Sequence, residues 1–200
     1  MQHSFQIYKM VADKKTLRTT YLSKRSALST TEQAKLNDLL LIQLQKLELP
    51  FAQKVLNYVP MEHRAEPNTY LFSHYLSFII PELVLAYPVT DMSNSSMEAY
   101  AVHEDTEFEQ KQFGLIEPIS RELIAPNRID IIIVPLLAAD QSGYRVGYGK
   151  GIYDRYLSRC REDIFKIGFS FVPPVEQILD ININDIPLNV LVCPEKIYYF

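Results

Sequence analysis

The chain has 200 residues, 48% of them hydrophobic and 22% charged, with a net charge of −4. That composition excludes a disordered, collagen-like or disulfide-stapled protein, and the mild acidity argues against generic nucleic-acid binding. No apolar run approaches the roughly 18 residues that a membrane span needs.

A chain of this size suits one domain or two small lobes. The first residues (Met1, Gln2, His3, Ser4, Phe5) lack the charged lead and apolar core of a secretory signal. Cys160 and Cys193 are too few and too distant in sequence for a zinc site, and they do not imply a disulfide. The chain therefore reads as soluble and cytoplasmic, with no membrane and no nucleic acid among its partners.

Taken in order, Asp13 to Lys24 reads as a helix with Leu17, Tyr21 and Leu22 apolar and Lys14, Lys15, Arg18, Lys24 and Arg25 basic. Ser29 to Leu47 is the clearest helix: Thr30 with Gln33 fits a capping box, and Leu36, Leu39, Leu40 and Leu47 trace one face. Pro50 closes this helical half, and the chain then alternates. Lys54 to Val59 predicts a short strand, Asn68 to Phe78 a helix, Leu83 to Val89 a strand, and Met97 to His103 another. Asp130 to Val134 (DIIIV) has the continuous β-branched pattern of a strand covered on both faces. Ile152 to Cys160 predicts a helix, with Lys166 to Phe171 and Asn189 to Val192 as further strands. Strands alternating with helices indicate α/β with a largely parallel sheet.

The chemistry concentrates where the glycines do. The chain has 6 glycines, where average usage would give roughly 14; Gly143, Gly147, Gly149 and Gly151 fall together between the DIIIV strand and the next helix. In open α/β sheets ligands bind beyond the carboxyl ends of strands. Alternating glycines let the backbone approach a ligand and turn its amides toward an anion. The following helix adds amides and a positive dipole end. Arg145 and Lys150 add full charges, and the whole points to phosphate. It is no Walker A loop, since Lys150 is followed by Gly151 and the four-residue spacer is missing, and the spacing is not G-x-G-x-x-G.

Arg145 to Asp154 (RVGYGKGIYD) resembles the signature of the 5-formyltetrahydrofolate cyclo-ligase family, and Val134 to Asp140 is similar to that family's lead-in. Lys14 to Arg18, Tyr58 followed by Glu66 and Thr69, Phe113 to Pro118 and Asp185 to Asn189 resemble further family motifs in the same order. The resemblance implies a single domain over 1–200, its helical part (about 10–48) packed on an α/β core. That core would be three-layered, a largely parallel sheet flanked by helices, like the open sheets of sugar isomerases and CoA transferases. It implies ATP-dependent closure of 5-formyltetrahydrofolate to 5,10-methenyltetrahydrofolate with release of ADP and phosphate. The small-molecule partners would be those two substrates, Mg²⁺ would assist, and the enzyme would act as a monomer.

Residue by residue, the resemblance assigns ATP to Lys14, Lys15, Thr16, Leu17 and Arg18 and to the loop Arg145, Val146, Gly147, Tyr148, Gly149, Lys150, Gly151, Ile152 and Tyr153. Lys150 would follow charge onto the transferred phosphoryl group, Arg145 would hold phosphate or orient the loop, and Tyr153 would donate a hydrogen bond or serve as a packing wall. Taken alone, Tyr153 fits a core-facing helix position equally well. Folate would contact Val59, Glu66, Tyr148, Gly149, Lys150, Gly151 and Ile152. Glu66 would accept the pteridine's N–H donors. The loop from Tyr58 is longer than the family's, so Glu62 competes, and Thr69 favours Glu66. Ile152 stands where an aromatic is common. Asp154 and Asp185 would hold Mg²⁺. On the residues alone, Asp154 is also a first-turn helix acid and the Lys14–Arg18 run a solvated basic face. The four histidines show no metal spacing. A sugar-phosphate isomerase and a non-catalytic folate or nucleotide binder are the rival readings.

Overall fold

Eight strands form one sheet among residues 10–200, the residues described by the computed structural model. The N-terminal segment read for a secretory signal, His3 included, lies outside them. In chain order the strands are β1 (Lys54–Leu56), β2 (Val84–Asp91), β3 (Ser96–Val102), β4 (Leu123–Ile124), β5 (Ile131–Val134), β6 (Phe165–Phe169), β7 (Val190–Val192) and β8 (Ile197–Tyr199). Their spatial order is β8-β7-β6-β5-β1-β2-β3-β4. The inner five, from β7 across to β2, are parallel, and β3, β4 and β8 add antiparallel edges. The hairpin joining β2 to β3 is the largest departure from a simple βα alternation; Ser95, with φ +54°, makes its turn.

The DIIIV run is the sheet's middle. Every residue of β5 is buried, because helices cover both faces. On one face Ile131 and Ile133 pack with Leu40, Leu44, Phe72 and Leu76, which come from α2 (Thr30–Leu44) and α3 (Thr69–Ile79). On the other, Ile132 and Val134 meet Tyr156 and Leu157 of the short helix α4 (Ile152–Leu157). The three-layer expectation holds.

The helix α1 (Lys14–Ser26), which precedes α2 and α3 in the chain, buries Leu17, Tyr21 and Arg25. A spacing of four puts these on one stripe. That stripe packs not on the main sheet but on Leu137, Ala138 and Val146, in the antiparallel pair Ala138–Ala139 and Arg145–Val146 that follows β5. Asp13 caps α1 by accepting the Thr16 N–H at 2.7 Å.

The α2 cap sits one residue earlier than the Thr30–Gln33 expectation. Ser29 Oγ accepts the Glu32 N–H at 3.2 Å and Glu32 returns to the Ser29 N–H at 2.9 Å. The Gln33 side chain instead donates to the Leu28 carbonyl. Among the described residues no helix is long and apolar enough to cross a membrane.

Candidate active site

A cleft of about 1040 Å³ opens beyond the carboxyl ends of β1 and β5. The segment after β5 turns back through Asp140, a carboxylate with 1% exposure. Its oxygens accept the N–H groups of Ser142, Tyr144 and Ile178. That turn delivers the glycine loop, Gly147–Gly151, to the cleft wall. Gly149 has φ +89° and Gly151 +65°, conformations that L side chains avoid.

Two arginines hold the loop through its carbonyls. Arg18 Nε donates to the Gly147 carbonyl at 3.0 Å, and its guanidinium lies 3.3 Å from where a Cβ on Gly149 would stand. Arg155 donates to the Lys150 carbonyl and, at 2.9 Å, to the Ser95 carbonyl of the β2–β3 turn. The Lys150 side chain is left exposed at the cleft.

Of the residues expected at the site, Lys14, Arg18, Val59, Glu66, Arg145, Gly147 to Asp154 and Asp185 line the cleft. Leu17 and Val146 do not: both are fully buried and pack on each other's cluster. Lys15 and Thr16 also fall outside the lining; they lie one and two positions past Lys14 and so point to other sides of α1. The helix after the loop is six residues long, shorter than Ile152 to Cys160, so cationic side chains outweigh its dipole as an anion device.

Arg145 is a clamp rather than a free cation. Its Nη2 donates to Asp154 Oδ1 at 2.8 Å and its Nη1 to the Ile186 carbonyl, while the Ile186 N–H returns to Asp154 Oδ1 at 3.1 Å. Burial pushes the guanidinium's pKa down, and Asp154 pulls the other way. The same segment is tied to α1, since Lys14 Nζ pairs with Asp185 and the Asn182 N–H donates to Asp185 Oδ2.

At the opposite wall Glu66 is 7% exposed. One oxygen accepts the Met61 N–H at 2.8 Å and the other the Tyr148 hydroxyl. Glu62 is exposed, in the short 3₁₀ turn Glu62–Arg64, and does not line the cleft. Burial, and then the Glu66 carboxylate, raise the pKa of both Tyr148 and Tyr153, so both hydroxyls remain donors.

A model of the 5-formyltetrahydrofolate cyclo-ligase family matches residues 10–190. The chain belongs to that family. The cyclo-ligase of Mycoplasma pneumoniae is 29% identical over 187 residues, covering 86% of this chain and 99% of that one. The Escherichia coli cyclo-ligase is 30% identical over 99 residues, 48% of this chain and 54% of its own. The solved 5,10-methenyltetrahydrofolate synthetase of Aquifex aeolicus aligns with TM-score 0.73 at 32% identity, over 93% of this chain and 92% of that one. The Mycoplasma pneumoniae synthetase structure gives 0.68 at 25% identity, over 90% and 98%.

Two buried groups of this cyclo-ligase-family chain, Arg25 behind the cleft wall and Glu117 in its lining, escaped the sequence reading as site residues. Arg25 sits at the end of the inward stripe of α1, and that position in an otherwise apolar stripe was the available signal. Glu117, in the motif Phe113 to Pro118, is 3% exposed and accepts the Thr90 N–H at 2.9 Å. Burial raises its pKa. Among the described residues no three His, Cys, Asp or Glu side chains group as metal ligands. Asp154 and Asp185 still offer hard oxygens: each concentrates its hydrogen bonds on one oxygen, Oδ1 of Asp154 and Oδ2 of Asp185. That donor chemistry fits a small dication shared with phosphate oxygens.

Proposed function

We propose that the cleft converts 5-formyltetrahydrofolate to 5,10-methenyltetrahydrofolate with cleavage of ATP, through the residues assigned below. The observation that carries this reading is the lining of one cleft by the cations Lys14, Arg18 and Lys150 together with the buried carboxylate Glu66, which the Tyr148 hydroxyl ties to the glycine loop. The first set suits a polyphosphate and the second a pteridine edge rich in N–H donors.

The N5 formyl group is amide-like and a poor electrophile. Transfer of the γ-phosphoryl group to its oxygen makes the carbon electrophilic; N10 then attacks, loses its proton, and phosphate departs. Positioning and charge neutralisation dominate such a step. Lys150, exposed on a loop braced by Arg18 and Arg155, is the cation that meets the moving phosphoryl charge. Arg145 holds Asp154 and the 182–186 segment in place, and Tyr153 contributes a hydroxyl that stays protonated. Val59, 8% exposed at the end of the β1 segment, is an apolar wall for the pterin. Mg²⁺ held by Asp154 and Asp185 would offset phosphate charge. The chain acts as a single-domain cytoplasmic monomer on small molecules, without nucleic acid or membrane.

No histidine lines the cleft among the described residues, which weakens the isomerase reading. The test mixes purified protein with 5-formyltetrahydrofolate, Mg²⁺ and ATP and follows the near-ultraviolet band of the methenyl product. Product should form only in the complete mixture. Equal product without ATP, or none with it, overturns the reading.

A further inference from the structure

We infer that Arg25, which lies behind the cleft wall, is a positioning residue that fixes Tyr148 and Glu66 and so sets the affinity for the folate substrate. The inference rests on the reading of Glu66 as the pterin's carboxylate.

Arg25 projects from the inward stripe of α1 and is 7% exposed. Its guanidinium is engaged along three edges. Nε donates to the Arg64 carbonyl at 3.1 Å, Nη1 to the Leu136 carbonyl at 2.9 Å, and Nη2 to the Tyr148 hydroxyl at 2.8 Å. The same Nη2 lies 3.7 Å from Glu66 Oε1. Those acceptors belong to three separate segments: the turn before Glu66, the chain leaving β5, and the glycine loop. One planar fork therefore sets their mutual spacing.

The hydrogen bonds run in one direction. Arg25 donates to Tyr148, and Tyr148 donates to Glu66. Such a chain polarises each member and fixes the phenol's proton on the carboxylate side. The Tyr148 ring is also held on its face by Arg64, 4.8 Å from its centroid. With Tyr148 and the Met61 N–H bound, each Glu66 oxygen keeps one further lone-pair direction for a ligand donor. Without the guanidinium, a nearly buried carboxylate stands uncompensated and the phenol has no fixed rotor. A lysine supplies the charge, but its three N–H donors radiate from one nitrogen and cannot reproduce the spacing of a planar fork with donors on three nitrogens. Because Arg25 reaches the glycine loop only through the Tyr148 side chain, its loss should fall on folate rather than on ATP.

The experiment measures, for full-length protein, the Kd of 5-formyltetrahydrofolate by calorimetry without ATP, together with both KM values and kcat. The variants are Arg25→Gln, Arg25→Lys, Tyr148→Phe, Glu66→Gln and the double variant Arg25→Gln/Glu66→Gln. We expect Arg25→Gln to weaken folate about tenfold, Arg25→Lys to recover only part of that, and KM for ATP to stay within about threefold. In the Glu66→Gln background Arg25→Gln should add less than about threefold, since it acts through that carboxylate. An equal tenfold loss in both backgrounds, or parallel rises in the two KM values, overturns the positioning role. Should Arg25→Gln fail to fold by far-ultraviolet circular dichroism, Tyr148→Phe decides: it keeps the ring and breaks the link, so unchanged folate affinity refutes the inference. Unchanged affinity in Glu66→Gln alone instead refutes the assignment of Glu66 to the pterin.

Discussion

Replacing Arg145 with Met removes a guanidinium while keeping an apolar stem, and the structure sets the size of the effect. The Arg145 side chain is 5% exposed and that of its partner Asp154 25%. Breaking a buried pair by deleting one member usually costs about 3–5 kcal/mol, because the other charge is stranded. Asp154 keeps the Ile186 N–H at 3.1 Å and is 25% exposed, so the cost falls to or just below the floor of that range, about 2–3 kcal/mol. For a chain of 200 residues this corresponds to roughly 4–12 °C in Tm. Urea unfolding followed by circular dichroism should show a lower midpoint at an unchanged slope. Asp154→Asn should also destabilise, and the double variant should lose less than the sum of the singles. A loss below about 1 kcal/mol, accompanied by collapse of kcat, would mean that Arg145 works on the reactants and not as a brace between α4 and the 182–186 segment.

Lys150→Met is expected to behave in the opposite way. Its side chain is exposed, so stability should move by less than about 0.5 kcal/mol while turnover falls by about 10²-fold or more; normal turnover rejects its phosphoryl role. Gly149→Ala forces a Cβ onto a residue at φ +89° and sets it 3.3 Å from the Arg18 guanidinium. It should cost about 1–2 kcal/mol and raise KM for ATP several-fold, and an unchanged Tm would contradict the loop geometry. Glu117→Gln tests a carboxyl whose folded pKa is raised by burial. Such a group favours folding most at low pH, and that contribution is lost as pH rises through the folded value. The amide should therefore raise Tm at pH 8, with the gain vanishing below the unfolded carboxyl value of about 4.3. A gain that persists at pH 3 points to another cause.

Much of this was legible from local pattern. The run Asp130–Val134 gave away the middle strand because a strand buried on both faces needs apolar residues at every position. The glycine cluster marked the loop because positive φ is a local demand. The Thr30–Gln33 box was one residue late because Ser29 and Glu32 satisfy the same spacing, and only the backbone decides between them. The antiparallel pair after β5 and the edge strands β4 and β8 are two or three residues long, too short to show a period. Arg25 reads locally as a solvated last-turn cation. Its partners Leu136 and Tyr148 lie more than a hundred positions away, and no sequence window spans that distance. Of the contiguous stretches Lys14 to Arg18 and Arg145 to Tyr153, Lys15, Thr16, Leu17 and Val146 fall outside the cleft lining, since a helix or a strand turns only some of its side chains to any one side.

The cleft draws Lys14 and Arg18 from near one end of the chain and Asn182 to Ile186 from near the other. The two ends are stitched together by the parallel pairing of Val11–Ala12 with Gln177–Ile178 and by the Lys14 N–H on Asp180. During synthesis the sheet's first partners, β1 and β5, can meet well before residue 180 has been added, whereas the cleft cannot. A chain that stops before residue 180 would thus own much of a core without the cleft wall that residues 182–186 supply. Capacity to bind substrate is in this way withheld until residues 182–186 have been made, and ligand can stabilise only chains that include them.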